Sequence, residues 1–210
     1  LHLGDYIYEY PGVPGARMSQ PDRAIVNLGD YRLRYASYHL DPDLQAAHAR
    51  LPFVATWDDH EVANNYMGDV VPASPTGADL DRKAAAYQAW WENLPVRLDP
   101  PDGAVLDVYR RFDIGNLARI HVLDERQHAD LPPCRPEPDN TTDFGDCDAR
   151  SAEDRTRLGT DQEAWLAEGL AKGGVTWNLL GNPVVLAGVD AGAPEGDPAY
   201  YLDVWDGFPQ

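Results

Sequence analysis

PFVATWDDHEVANNY, residues 52–66, passes from an apolar stretch straight into a row of ionisable groups. Phe53 to Trp57, entered through Pro52, reads as a short strand. Asp58, Asp59, His60 and Glu61 follow at once. Adjacent carboxylates repel one another unless a cation or partner charges sit among them. A helix N-cap accounts for one Asp, and a satisfied core or surface histidine accounts for His60. Neither accounts for the whole run, and local conflict of this kind concentrates at functional sites.

Upstream, LHLGDYIYEY, residues 1–10, has a related form. Leu1 to Leu3 reads as the end of a buried strand, and Gly4-Asp5 as the turn that lets a carboxylate project into a cleft. Such a carboxylate can bridge two cations. Tyr8, three residues on, can curl back to the same centre, where a phenolate is a hard oxygen ligand suited to ferric iron. A Gly-Asp turn and a packed tyrosine carry no such meaning alone.

Between and beyond these turns the chain alternates helix and strand signals. Apolar spacing predicts two helices over Asp30 to Leu51, the second begun by Asp41 as N-cap and Pro42 at the first helical position. Leu80, Ala84, Tyr87 and Trp91 mark one face of a third helix that ends before Pro95. Val105 to Phe112 and Leu117 to Leu123 read as a hairpin around Asp113 to Asn116. A polar loop from Leu131 to about Arg150 precedes a helix with a Thr160–Glu163 capping box, stopped by Gly173-Gly174. Val175 to Leu180 and Val184 to Ala187 read as strands. The sum is a layered α/β architecture.

Composition bounds the function. The 210 residues suit one domain, and no apolar run approaches the roughly 20 residues of a membrane span. A net charge of −18 argues against nucleic acid and anionic membranes as partners. The two cysteines, Cys134 and Cys147, flank a polar Pro- and Asp-rich loop and read as a disulfide, which favours a secreted or periplasmic location. No initiator Met and no export signal open the chain, which is expected to begin inside a longer protein.

The two acidic turns together resemble the metallophosphoesterase pattern, a GD turn followed by a GNH-E/D turn. GD-x-x-Y at Gly4, Asp5 and Tyr8 is similar to the form in which a tyrosinate binds ferric iron. With YRLRYASYHLDPDLQAAHARLPFVATWDDHEVANNY, YQAWWENLPVR, LDERQ, TWNLLGNP and DVWDGFP in this order, nearly the whole chain resembles the PhoD-type alkaline phosphatase/phosphodiesterase family. The resemblance implies a metallophosphoesterase-like four-layer sandwich, two mixed sheets flanked by helices. It also implies a centre of Fe3+ and Ca2+ that hydrolyses small phosphate mono- or diesters. Carried over, Asp5 bridges the metals, Tyr8 binds the ferric ion, and Asp59, with Asp58 beside it, serves the second metal. His60 faces the phosphate or the leaving oxygen. Arg126 reads equally as a guanidinium fork on phosphate or as an ion-pair partner. Asn64 and Asn65 receive no role.

The family also places a cysteine ligand upstream of the GD turn and a GDxH motif downstream of the WDG stretch, and this chain has neither. Residues 1–210 are therefore expected to be part of one catalytic domain, truncated at both ends and inactive alone. A calcium-binding acidic module without turnover is the alternative of another class. A nuclease on the same scaffold is disfavoured by the charge.

Overall fold

The computed structural model describes residues 1–12, 19–71, 79–134, 144–188 and 199–209. Pro14, Gly15, the stretch from Pro72 to Gly77 and the centre of the disulfide loop lie outside them.

Two helices, α1 (Leu28–Tyr38) and α2 (Pro42–Arg50), fill the predicted region. Asn27 caps α1 by accepting from the Asp30 amide, and Asp41 caps α2 with Pro42 at its start. The third helix, α3 (Leu80–Asn93), packs on α1. Its buried face is rotated from the predicted one. Arg82, Lys83, Ala86, Tyr87, Ala89 and Trp90 are buried, whereas Leu80 is exposed. The cause is satisfied charge: Lys83 Nζ donates to Gly68 O and Asp69, and Arg82 Nε to the Tyr31 hydroxyl, so both long stems can line the core. Trp57 stacks on Tyr87 at 4.2 Å and meets Trp90 edge-on, at the centre of the main hydrophobic cluster.

Strands β1 (Arg110–Ile114) and β2 (Ala118–Val122) form the hairpin, turning through Gly115 at φ 54°. Val105 is not part of it. Asp102 and Val105 close on each other, and the Gln127 side chain satisfies both the amide and the carbonyl of Leu106. Beyond the short strand β3 (Phe144–Gly145), helix α4 (Thr160–Ala171) is capped by Gly159, not by a Thr160–Glu163 box. Glu163 instead accepts from the Thr156 hydroxyl. Gly173 and Gly174, at φ 64° and 79°, end the helix as expected. Strand β4 (Trp177–Gly181) joins β2 in parallel, giving the order β1-β2-β4. Val184 to Ala187 forms no strand, because the Val184 amide turns to the Glu125 carboxylate.

A second sheet pairs β3 with β5 (Tyr200–Tyr201). The Cys134–Cys147 disulfide stands beside it with the Cα atoms 5.6 Å apart. The described residues thus form a mixed α/β structure with two small sheets. No helix among them is long and apolar enough to cross a membrane.

Candidate metal centre

Leu1 to Leu3 and Phe53 to Trp57 meet in one parallel bridge, His2 with Ala55, short of the two strands expected, and Leu1 and Leu3 are exposed. The bridge is enough to align the chains: His2 N donates to Val54 O at 2.8 Å and Thr56 N to His2 O at 3.1 Å. Both acidic turns therefore leave side by side. Gly4 makes their contact possible, since a Cβ there would lie 2.1 Å from the Asp58 amide nitrogen. Asp5 itself adopts φ 55°, an uncommon left-handed conformation for a residue with a side chain.

Glu61, the last acid of the run, ties the turns together. Its Oε2 accepts from the amides of Asp5 at 3.1 Å and Asp58 at 2.8 Å, and its Oε1 from that of Tyr6 at 2.5 Å. Burial pushes its carboxyl up to about 8, against the pull of those amides and with the added repulsion of Asp5 and Asp58.

One ligand atom each of Asp5, Asp59 and His60 lies within 4.8 Å of the others. Asp5 Oδ2 accepts from the Tyr8 hydroxyl at 2.9 Å, while Oδ1 is buried without a hydrogen-bond partner. Burial and the neighbouring Asp58 raise the Asp5 carboxyl above the ordinary range. Asp59 Oδ2 accepts from the Asn65 amide at 2.6 Å. His60 Nδ1 meets Glu9 Oε2 at 2.7 Å, and the Tyr8 ring lies 4.2 Å from the imidazole. Burial opposes the charge on His60, but the Glu9 hydrogen bond and the charges of Asp59, Glu9 and Asp5 outweigh it and lift the imidazole to about 9. Burial, and after it the Asp5 carboxylate, push the ionisation of the Tyr8 phenol well above its ordinary value.

An orphaned, buried oxygen on a carboxylate grouped with a second one fits a hard cation: such a group is costly to bury unless something positive coordinates it. The Tyr8 phenol, already against Asp5, adds a hard donor to the same spot.

The other expected residues part company here. Asp58 turns to Arg126, its Oδ1 accepting from Nε at 2.6 Å, and stands outside the close trio. Arg126 takes the ion-pair alternative. Its Nη1 donates to both oxygens of Asp203 at 3.0 and 3.1 Å, and Nη2 lies 3.5 Å from Asp59. The fork is spent on three carboxylates and does not stand open to phosphate. Asp124, just past β2, aims it: one carboxylate oxygen accepts from the Trp57 indole at 3.0 Å and from the Arg126 and Gln127 amides. Asn64 contributes its amide to Glu9 Oε1 at 2.6 Å.

Glu9, Glu61 and Asp203 receive no role from the sequence alone. The first two lie inside the quoted turns, where composition could have flagged them. Asp203 lies 77 residues from Arg126, and no local pattern announces it. Asp5, Asp59 and His60 line a cleft of about 240 Å³ together with Val184, Tyr201 and Asp203.

A profile of PhoD-like phosphatases matches residues 1–210. Alkaline phosphatase D of Bacillus subtilis (strain 168) is 40% identical over 216 residues, covering 100% of this chain and 36% of the relative. A solved structure of PhoD superimposes with a TM-score of 0.89 at 39% identity, covering 99% of this chain and 40% of that one. The chain thus spans well under half the length of these relatives.

Proposed function

The chain belongs to the PhoD-like phosphatase family, and from that premise we propose that the cleft is part of a metal-dependent phosphate ester hydrolase. The observation that carries this reading is the Asp5–Asp59–His60 trio with its unpartnered Asp5 oxygen. Asp5 and Asp59 would hold the metal, Tyr8 adding a donor suited to Fe3+ and the carboxylates oxygens suited to Ca2+, while Asp58, paired with Arg126, would support them from outside that set. When bound, these ions supply neutralisation of phosphoryl charge and activation of the attacking water.

His60 serves as proton donor. Glu9 occupies Nδ1 and favours the imidazolium, which leaves Nε2–H to meet the departing alkoxide, a step worth roughly 10²–10⁴-fold. Arg126 holds Asp58 and Asp59 in place without touching substrate. The substrate class is a small phosphate mono- or diester. The disulfide supports a location outside the reducing cytosol. Full turnover belongs to a polypeptide of the relatives' length, with the four-layer sandwich expected there and little activity in the 210 residues alone.

The test uses that longer polypeptide, stripped with chelator and reloaded with ferric and calcium ions. Asp59→Asn is expected to abolish hydrolysis of p-nitrophenyl and bis-p-nitrophenyl phosphate. Undiminished turnover in Asp59→Asn, or in the stripped protein, would sink the reading. Metal uptake without turnover would favour the calcium-binding module.

A further inference from the structure

Tyr8 is fixed through its backbone, at both ends, by helix α1. Its amide donates to the Tyr38 hydroxyl at 3.3 Å, and its carbonyl accepts from Arg34 Nη1. Arg34 is fully buried. The same Nη1 donates to Tyr10 O at 2.5 Å, Nε to Gln20 O at 3.1 Å, and Nη2 to Pro21 O at 2.8 Å and Arg23 O at 3.0 Å. Five carbonyls converge on one guanidinium, which makes no salt bridge with a carboxylate among the described residues. A buried cation without a counterion is an expensive arrangement. What it achieves here is geometric: a rigid planar donor set ties the carbonyls of Tyr8 and Tyr10 to those of Gln20, Pro21 and Arg23 in one knot.

At the other end of Tyr8, the phenol is half-exposed and held to the centre by one hydrogen bond to Asp5 Oδ2 and by the face of His60 at 4.2 Å. Side-chain packing alone therefore does little to set where the phenol oxygen stands. The backbone anchor does that.

We propose that Arg34 and Tyr38 are positioning residues of the metal centre, setting through the backbone of Tyr8 the distance of its phenol from Asp5 and His60. The metal part of this rests on the reading of Tyr8 as a ligand. A single ammonium in place of Arg34 offers three donors for five carbonyls, and a phenyl in place of Tyr38 leaves the Tyr8 amide without its acceptor.

Two variants of a polypeptide of the relatives' length test it. Tyr38→Phe deletes one hydroxyl, and Arg34→Lys keeps the charge while losing the fork. Nuclear Overhauser contacts between the Tyr8 and His60 rings report the position directly in the metal-free chain, and those between Trp57 and Tyr87 report the core. The Tyr8–His60 contacts are expected to weaken in Tyr38→Phe and vanish in Arg34→Lys, with the Trp57–Tyr87 contacts unchanged. Ferric ion supplied as its nitrilotriacetate complex should bind about fivefold more weakly in Tyr38→Phe, the equivalent of one lost hydrogen bond. In a Tyr8→Phe background the same substitution should cost nothing further. Unchanged ring contacts in Tyr38→Phe would overturn the proposal, whether or not Arg34→Lys folds. An equal loss of iron in the Tyr8→Phe background would also overturn it. Tyr8→Phe that binds iron as tightly as the parent would instead refute the ligand reading, and with it the metal part alone.

Discussion

Glu9 and His60, 51 residues apart, are joined by a 2.7 Å contact between Oε2 and Nδ1, and the second carboxylate oxygen of Glu9 is pinned by the Asn64 amide. A carboxylate so fixed selects one orientation of the imidazole and favours its charged form.

Glu9→Gln keeps the shape and removes the charge. In a polypeptide of the relatives' length, turnover of an alkyl phosphate ester should fall by about 10²-fold, the lower range for loss of a general acid. Turnover of p-nitrophenyl phosphate should fall less, because nitrophenolate departs with little need of a proton. Equal losses on both esters would place Glu9 outside proton donation.

Arg126 neutralises Asp58, Asp59 and Asp203 at once. Arg126→Met should destabilise the chain by about 3–5 kcal/mol, the cost of leaving buried acids uncompensated. Urea unfolding measures it. A loss under about 1 kcal/mol would mean that those acids are protonated or hydrated already.

His39 and His48 share the Tyr6 hydroxyl, their Nε2 atoms at 2.9 and 2.7 Å. Burial holds both imidazoles below the ordinary 6.5, and the charge of His48 further lowers His39 and His2. A folded value below the unfolded one means that protons bind the unfolded chain better. The stability these histidines contribute is present above about 6.5 and is lost as pH falls through their folded values. The urea midpoint should therefore drop between pH 7 and 5, and drop less in His48→Asn.

The Cys134–Cys147 bond closes a loop with a sequence separation of 13. Replacing both by Ser should cost about 3 kcal/mol on the chain-entropy scale. It should also loosen the adjoining β3–β5 pair and with it Tyr201, read as faster amide exchange at Phe144 and Tyr201 than in β2.

Much of the fold was legible because its signals are local. Asp41-Pro42 capped the helix it announced, and Gly173-Gly174 ended another. Two of the misplaced strands share one cause: a side chain from far away took over a backbone group. Gln127 holds Leu106 out of β1, and Glu125 holds Val184 out of a strand. The grouping of the candidate residues was legible for the same reason and to the same depth. Asp5, Asp59 and His60 advertise themselves by crowding within short turns. Asp203 is a lone acid whose partner lies 77 residues earlier, and Arg126 reads two ways until Asp58, 68 residues away, claims it.

Those separations bear on when the centre comes into being. Asp5 meets Glu61 across 56 residues, Arg126 meets Asp58 across 68, and Asp203 closes on Arg126 across 77. Long loops must close before such contacts repay their entropy. A nascent chain thus carries its acids scattered, and Asp5, Asp59 and His60 come together only once the chain's distant segments have closed on one another.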